Sequence, residues 1–310
     1  YKRQKEDGSW ESKIDDGGVF ATTGLATLAF LGAGYRVDSL HKYAKTIQKS
    51  ISYLVTHTPE GVVDAKGIRA PMYSQAIMTL ALVEAYNAGG APIREHVEKC
   101  VSTVIKAQSS VGGWRYGLNP GDADMSVTGW AFMSLKSATY ADISNKAQVK
   151  ESLDKAVEYV KSETNDEWGF CYKKSGGYEG SYLAPSVGIT CLTFTGNKTF
   201  KYIGTAIDYI TPKFGAILQE DPSAYVNYIS SYYIMYYVSM GSFQYGGKFW
   251  EKWNQHLRTT LPKNQQDDGS FSGNFKDEPN FNTCFAVLSL EVYYRYLPVY
   301  SLVKTGEKAK

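Results

Sequence analysis

Helix-length apolar stretches recur six times along this chain of 310 residues. Charged side chains are rare within each stretch, and the apolar positions cover nearly the whole helical circumference. A helix that is hydrophobic on every side needs protein neighbours on every side, so these six are predicted to pack in the interior. They begin at Thr22, Tyr73, Ser126, Pro185, Tyr228 and Asn282.

Amphipathic segments alternate with the apolar stretches. In residues 38–57, Ile47, Ile51 and Leu54 fall on one helical face, whereas Lys45 falls elsewhere. The same pattern recurs in four later segments, 94–108, 150–163, 202–210 and 249–261. Each apolar stretch and its amphipathic partner form a repeat long enough for two helices and two loops, so the repeating unit is predicted to be a helical hairpin.

A short motif, running from Gln to an aromatic residue six positions later, marks the joints between the repeats. It lies at Gln4–Trp10, Gln108–Trp114 and Gln265–Phe271, with weaker copies at His57–Val63 and Ser162–Trp168. A Gly or Asp stands two positions before the last residue of every copy. The regular placement of the motif supports the division into repeats.

Six inner and at least five outer helices predict an all-α fold, a closed (α/α)6 toroid formed as a single domain over residues 1–310. An open α-solenoid is the alternative, because two-helix repeats often stack into superhelices. The residues ahead of Gln4 resemble only the end of an outer helix, so the first outer helix is expected to be truncated. The tail after Pro298 is expected to lie near the N-terminus.

Charge and cysteine content exclude several classes of function. The net charge is +2 and no basic cluster stands out, so nucleic acid is not an expected partner. No apolar stretch is long enough to span a bilayer, while peripheral membrane contact and the cellular compartment stay open. The four cysteines lie far apart without CxxC spacing, which predicts no disulfide framework and no metal site.

The Gln-to-Trp joints, the hairpin periodicity and residues 121–138, GDADMSVTGWAFMSLKSA, resemble the squalene/hopene cyclase and protein prenyltransferase repeat superfamily. The chain resembles in particular its single-domain bacterial terpene-cyclase-like members, and the resemblance covers nearly the whole chain. It implies that the Gln-to-Trp motif is structural. The prenyltransferase zinc site needs a D-x-C pair that this sequence lacks, so no cofactor is expected.

The resemblance also implies a proton donor. Asp122, Ala123, Asp124 and Met125 stand where class II terpene cyclases carry a DxDD signature, so Asp124 would be the acid and Asp122 its neighbour. Two close carboxyl groups cannot both ionise easily, which would keep one of them protonated. Met125 replaces the last Asp, and Asp124 is also suited to capping the following helix. A paired-carboxylate glycosidase is a further chemistry that such acids could serve.

All inner helices run in one direction in an alternating toroid, so their N-terminal ends meet at one mouth, where a ligand is expected to bind. Aromatic residues of the joints and of the fifth inner helix are the candidate ligand-binding set: Trp114, Tyr116, Trp168, Phe170, Tyr228, Tyr232 and Phe271. Each could instead pack in the core. The sequence thus predicts a terpene cyclase-like protein that binds an isoprenoid or another hydrophobic small molecule. The alternative is a non-catalytic toroid that binds a ligand, a further domain or a protein partner.

Overall fold

The computed structural model describes most of the chain and shows twelve α-helices within the described residues. The described residues are 1–14, 18–38, 40–89, 91–119, 121–174, 182–218, 231–271, 278–294 and 297–300. In this part of the chain the strands are limited to one antiparallel pair, β1 (Thr164–Asn165) and β2 (Gly169–Phe170). The all-α prediction is confirmed.

Six of these helices are inner helices. They are α1 (Gly18–Gly32), α3 (Pro71–Asn87), α5 (Met125–Ala138), α7 (Leu183–Phe194), α10 (Ser231–Tyr245) and α12 (Pro279–Glu291). Every residue of α5 and α7 is buried, which agrees with the apolar composition of these stretches. The sequence periodicity therefore located the inner helices to within a few residues at each end.

The outer helices are α2 (Ala44–His57), α4 (Arg94–Lys106), α6 (Lys146–Ser162), α8 (Lys201–Ile210) and α11 (Gly247–Thr260), together with the short α9 (Phe214–Ile217). They expose one polar face and bury a narrow apolar one. In α2, for example, Ile47, Ile51 and Leu54 are buried, whereas Lys45 and Lys49 are exposed. The predicted amphipathic pattern accounts for their position on the outside.

The inner helices form a closed ring. Each contacts the next one along the chain, and α12 returns to contact α1. The closed toroid is therefore confirmed and the open superhelix is excluded, since its first and last helices would lie apart. All inner helices run in the same direction, so one mouth of the ring is formed by their N-terminal ends and the other by their C-terminal ends.

Aromatic side chains fill the centre of the ring. Trp130 of α5 lies 5.7 to 5.9 Å, between ring centroids, from four rings: Tyr233, Tyr236, Tyr237 and Phe285. Trp130 is stacked on Tyr233 with an angle of 8° between their planes. Most of the tyrosine-rich fifth inner stretch is thus core, although Tyr228 lies outside the described residues.

Residues 297–300 pack against the C-terminal ends of the inner helices. Tyr300 is buried, with its hydroxyl 3.3 Å from that of Tyr236, and the backbone N–H of Val299 donates to Glu84 Oε1 at 3.0 Å. The Tyr300 ring is buried among α3, α5, α7 and α10. The prediction that the tail after Pro298 lies near the N-terminus stays a prediction, since residues 301–310 lie outside the described residues.

Two further sequence predictions can be compared with the structure. The four cysteines are buried free thiols, as the absence of a disulfide framework requires. None of the helices in the described part of the chain combines the length and the apolar character of a membrane span.

Candidate functional site

In two of the three strong joints, the glutamine ties a loop to the next outer helix. Gln108 Nε2 donates to the carbonyl oxygens of Gly112, at 2.7 Å, and Ser152, at 2.8 Å. The Ser152 hydroxyl donates back to Gln108 Oε1 at 2.8 Å. Gln4 makes the equivalent bonds to Gly8 and Thr46, both at 2.9 Å. The amide therefore satisfies carbonyl groups that would otherwise lack partners.

The aromatic residue of the joint is anchored on both sides. Trp114 is fully buried, its indole N–H donates to the carbonyl oxygen of Val104 at 2.7 Å, and its backbone N–H donates to Thr128 Oγ1 at 3.0 Å. The backbone N–H groups of Trp10 and Phe271 donate in the same way to Thr23 and Thr283. These threonines of the inner helices were missed in the sequence, although their spacing from the aromatic residue is nearly constant.

The joint predicted at Ser162–Trp168, the fourth along the chain, has a different register from the predicted one. Gly112 has a positive φ and packs against the backbone of Lys155 in the next outer helix. In the fourth joint Gly169 has this conformation and packs against Tyr202, so Gly169 and not Asp166 takes the glycine position. The intervening residues form the β1–β2 hairpin, which buries Phe170 and leaves Trp168 partly exposed. The predicted alignment of Trp168 with Trp114 is wrong.

Asp124 caps α5. Its Oδ1 accepts hydrogen bonds from the backbone N–H of Val127 at 3.0 Å and from the Ser126 hydroxyl at 2.7 Å. The capping interpretation of this residue is therefore confirmed for one oxygen. The backbone N–H of Asp124 also donates to the Trp114 carbonyl oxygen at 2.9 Å. Trp114 of the joint therefore helps to position the residue that caps α5.

The second oxygen of Asp124 has different surroundings. Oδ2 is buried and has no hydrogen bond among the described residues, and Arg115 Nε lies 3.8 Å away. Burial raises the pKa of Asp124 because a carboxylate loses its hydration there. The hydrogen bonds from Val127 and Ser126 and the charge of Arg115 oppose this shift without cancelling it. One carboxyl group thus combines a satisfied oxygen with a desolvated one.

Asp122 lies in a solvent-exposed ion-pair cluster. Its carboxylate is 48% exposed and pairs with Lys173 and with Arg115, whose Nη1 lies 2.5 Å away. Hydrogen bonds from Lys173, the Ala123 backbone and Arg115 lower the pKa of Asp122 to about 2. Burial, and not repulsion from Asp122, is therefore the main cause of the raised pKa of Asp124.

Phenol hydroxyls converge on Ser126, next to Asp124. The hydroxyls of Tyr73 and Tyr172 lie 2.5 and 3.4 Å from Ser126 Oγ, and Tyr116 lies 3.0 Å from the Tyr172 hydroxyl. Tyr233 donates to the Ser126 carbonyl oxygen at 3.2 Å. Burial raises the pKa values of Tyr73, Tyr172 and Tyr233, so these groups stay neutral donors. We call Asp124, Ser126, Tyr73, Tyr116, Tyr172 and Tyr233 the mouth cluster.

The predicted ligand-binding residues are distributed unevenly around this cluster. Tyr116 belongs to it. Trp114 and Phe170 are buried in their joints, and Phe271 packs edge-on against Tyr232 with centroids 6.0 Å apart. The approach of Tyr73 to Ser126 was not predicted, because these two residues belong to separate repeats. In the described part of the chain, no group of three His, Cys, Asp or Glu side chains could hold a metal ion.

Comparison with known families agrees with this architecture. The model of the prenyltransferase alpha-alpha toroid domain matches residues 18–213 and 208–305. A search of curated proteins finds no match for the chain.

Proposed function

Because the chain belongs to the prenyltransferase alpha-alpha toroid family, we propose that it is a terpene cyclase-like protein whose proton donor is Asp124. The ligand in this proposal is an isoprenoid or another apolar, unsaturated molecule bound at the N-terminal mouth of the ring. The observation that carries the proposal is the Asp124 carboxyl group, with one oxygen in the cap and the other buried and without a hydrogen bond in the described residues.

A residue that served only as a cap would not require a desolvated second oxygen. A buried polar atom without a hydrogen bond costs about 1–3 kcal/mol, so its retention calls for an explanation. Protonation of Oδ2 removes the charge and matches the raised pKa of Asp124. A neutral carboxylic acid in apolar surroundings is the form that can transfer a proton to an alkene.

The chemistry would proceed from the Asp124 Oδ2–H group. The π electrons of the alkene form a new C–H bond with this proton, and the electron pair of the O–H bond stays on the carboxylate. The Ser126 hydroxyl, the Val127 N–H and Arg115 stabilise the resulting anion. Aromatic faces next to the carbocation stabilise the positive charge.

A non-catalytic toroid is the second candidate function, and the filled centre of the ring favours it. Trp130 contacts four aromatic rings there, so a long hydrocarbon chain would have to displace them in order to enter. In this case the mouth cluster would bind a ligand or a protein segment through its hydroxyl groups, without proton transfer.

Purified protein incubated with squalene and with shorter linear polyprenyl substrates separates the two candidates. Asp124→Asn should abolish product formation and leave the melting temperature nearly unchanged, since Asn caps helices almost as well as Asp. Asp124→Ala should also lower stability, by about 1 kcal/mol. Asp154→Asn is the matched control, because it makes the same substitution at an exposed carboxylate of α6 that pairs with Lys150 and not with any residue of the mouth cluster. Absence of product from every substrate would leave the second candidate as the better one.

A further inference from the structure

Residues 297–300 pack into the C-terminal mouth of the ring, where the inner helices end. The segment forms a single 3-10 turn that lies on α3 and α5. From this turn Tyr300 reaches Phe194, the last residue of α7, and Gln244 in the last turn of α10. The ring itself closes through the contact of α12 with α1. Residues 297–300 therefore fill the mouth and are not needed to close the ring.

Side chains of the inner helices hold the segment in place. Glu84 Oε1 accepts from the backbone N–H of Val299 at 3.0 Å, and Gln244 Nε2 donates to the carbonyl oxygen of Tyr300 at 2.5 Å. The hydroxyls of Tyr300 and Tyr236 lie 3.3 Å apart. These bonds can break while the backbone hydrogen bonds of the inner helices stay intact, so the segment can leave without unfolding the ring.

Tyr300 occupies a space next to the aromatic centre of the ring. Its ring is stacked on that of Phe194, with centroids 6.5 Å apart and an angle of 13° between their planes. Tyr236, whose hydroxyl approaches that of Tyr300, is in turn stacked on Trp130 at 5.8 Å. Withdrawal of Tyr300 would leave a space with aromatic walls and the Tyr236 hydroxyl exposed in it.

Two carboxyl groups at this end of the ring have unused acceptor oxygens. Glu84 and Glu291, in the last turns of α3 and α12, are 0% and 6% exposed, and neither Oε2 atom has a hydrogen bond within the described residues. Both carboxyl groups contribute to the raised pKa values of Tyr236 and Tyr300, which indicates that they lie near these phenols. Buried acceptors without partners favour a ligand that supplies hydrogen-bond donors.

We propose that the C-terminal mouth of the ring is a binding site for a hydroxylated aromatic ring, and that residues 297–300 are a removable plug that fills this site with Tyr300. In the plugged state the Tyr300 phenol takes the place of the ligand. Release of the plug exposes Phe194 and Tyr236 to an external ring and opens Glu84 to its hydroxyl groups. The site lies at the opposite end of the ring from the mouth cluster, so it does not depend on proton transfer from Asp124.

Hydrogen exchange of the Val299 backbone N–H, followed by NMR, measures plug release in the unaltered chain. After correction for intrinsic rates, we expect Val299 to exchange at least about 100-fold faster than Trp130 of the core, because local release needs less free energy than global unfolding. Low concentrations of urea should leave the Val299 rate unchanged, since local release exposes little surface. Exchange of Val299 with the rate and the urea dependence of Trp130 would show that the segment is fixed core, and would overturn the proposal.

A pair of variants in α3 tests the attachment of the plug. Glu84→Ala removes the acceptor of the Val299 N–H and should speed the exchange of Val299 by roughly tenfold. Gln75→Ala is the matched control, because Gln75 is also buried in α3 and accepts from a backbone N–H, that of Val63 at 2.9 Å. It should speed the exchange of Trp130 and leave that of Val299 as it is. Equal acceleration of Val299 in both variants would mean that the segment responds only to overall stability, which contradicts a removable plug.

The chemistry of the site is tested with p-cresol, which is the tyrosine side chain without its backbone. Tyr300→Gly vacates the space, and calorimetry should show p-cresol binding to this variant roughly fivefold more tightly than toluene, because only p-cresol supplies a partner for the Tyr236 hydroxyl. Tyr236→Phe in the same background should remove the preference. If Tyr300→Gly does not fold, Tyr300→Ala with phenol and benzene repeats the comparison. Failure of the hydroxylated rings to bind, or equal binding of both members of each pair, would overturn the proposed ligand class.

Discussion

The indole N–H of Trp114 donates to the carbonyl oxygen of Val104 at 2.7 Å, and this bond connects a structural joint to the candidate site. The Trp114 carbonyl oxygen accepts from the backbone of Asp124, and the Trp114 backbone N–H donates to Thr128 of α5. The end of one outer helix thereby positions the first turn of the inner helix that carries Asp124. A substitution that alters this joint should therefore also change the position of Asp124 in the mouth cluster.

Replacement of Trp114 tests how much the joint contributes to folding. Trp114→Ala should lower the free energy of unfolding by about 3–5 kcal/mol, because it removes a fully buried ring. Trp114→Phe keeps most of the ring and leaves the buried Val104 carbonyl unpaired, at a cost of about 1–3 kcal/mol. Urea unfolding measures both. An unchanged stability of the Ala variant would show that the ring is not part of the core.

The glutamines of two joints offer a matched pair. Gln108 is half-buried and makes three hydrogen bonds, so Gln108→Ala should cost about 2 kcal/mol or more. Gln265 is exposed and donates to Gly269 at 3.0 Å, so Gln265→Ala should cost less than about 1 kcal/mol. Thermal and urea unfolding of both variants check the difference. Equal losses of stability in the two variants would mean that the hydrogen bonds between Gln108 and Ser152 of the next outer helix contribute nothing to the free energy of unfolding.

The buried carboxyl group of Glu291 predicts a pH dependence of stability. Burial raises the pKa of Glu291 from 4.5 to about 9, so the folded protein binds one more proton than the unfolded chain between these values. The stability that this group contributes is fully present below pH 4.5 and is lost as the pH rises through about 9. The wild-type protein should therefore lose more stability between pH 5 and pH 9 than Glu291→Gln.

Urea unfolding of the two proteins at both pH values isolates this effect, since the other titrating groups are common to them. Parallel pH profiles for wild type and Glu291→Gln would contradict the raised pKa. Glu291→Gln also leaves the mouth cluster intact, so any change of ligand binding in this variant would have to arise indirectly.

The sequence predicted the ring because its determinants are periodic. Apolar positions placed all six inner helices, and amphipathic faces placed the outer ones. The fourth joint was misaligned, since the short β1–β2 hairpin moves the glycine position to Gly169. The burial of Tyr300 was also missed, because its partners Phe194 and Tyr236 belong to distant repeats.

The candidate site was predictable only in part for the same reason. Asp124 and Tyr116 could be identified from motifs that are continuous in the sequence. Lys173, which pairs with Asp122, and Tyr73, which approaches Ser126, come from other repeats. Their effect on the charge of Asp122 and on the surroundings of Asp124 depends on side-chain approach across the ring, which a single sequence does not encode in any local pattern.

Arg115 links the two carboxylates and should control the protonation of Asp124. Its Nη1 pairs with Asp122 at 2.5 Å, while its Nε lies 3.8 Å from Asp124 Oδ2. Arg115→Gln removes a positive charge that favours the ionised form of Asp124, so the pKa of Asp124 should rise further. Asp122→Asn removes a competing partner of Arg115 and should therefore lower the pKa of Asp124. Both substitutions lie at a solvent-exposed ion pair and should change stability by less than about 1 kcal/mol.

Carbon-13 NMR titration of the Asp124 carboxyl group measures these shifts without any substrate. Shifts of the Asp124 pKa in opposite directions in Arg115→Gln and Asp122→Asn would show that the charge of Arg115 controls the balance between the protonated and ionised forms of Asp124. Lys173→Gln provides the comparison, because Lys173 pairs with Asp122 and is not among the groups that shift the pKa of Asp124. If Arg115→Gln leaves the Asp124 titration where it is, the 3.8 Å approach has no electrostatic consequence. Burial alone then sets the proton affinity of this carboxyl group.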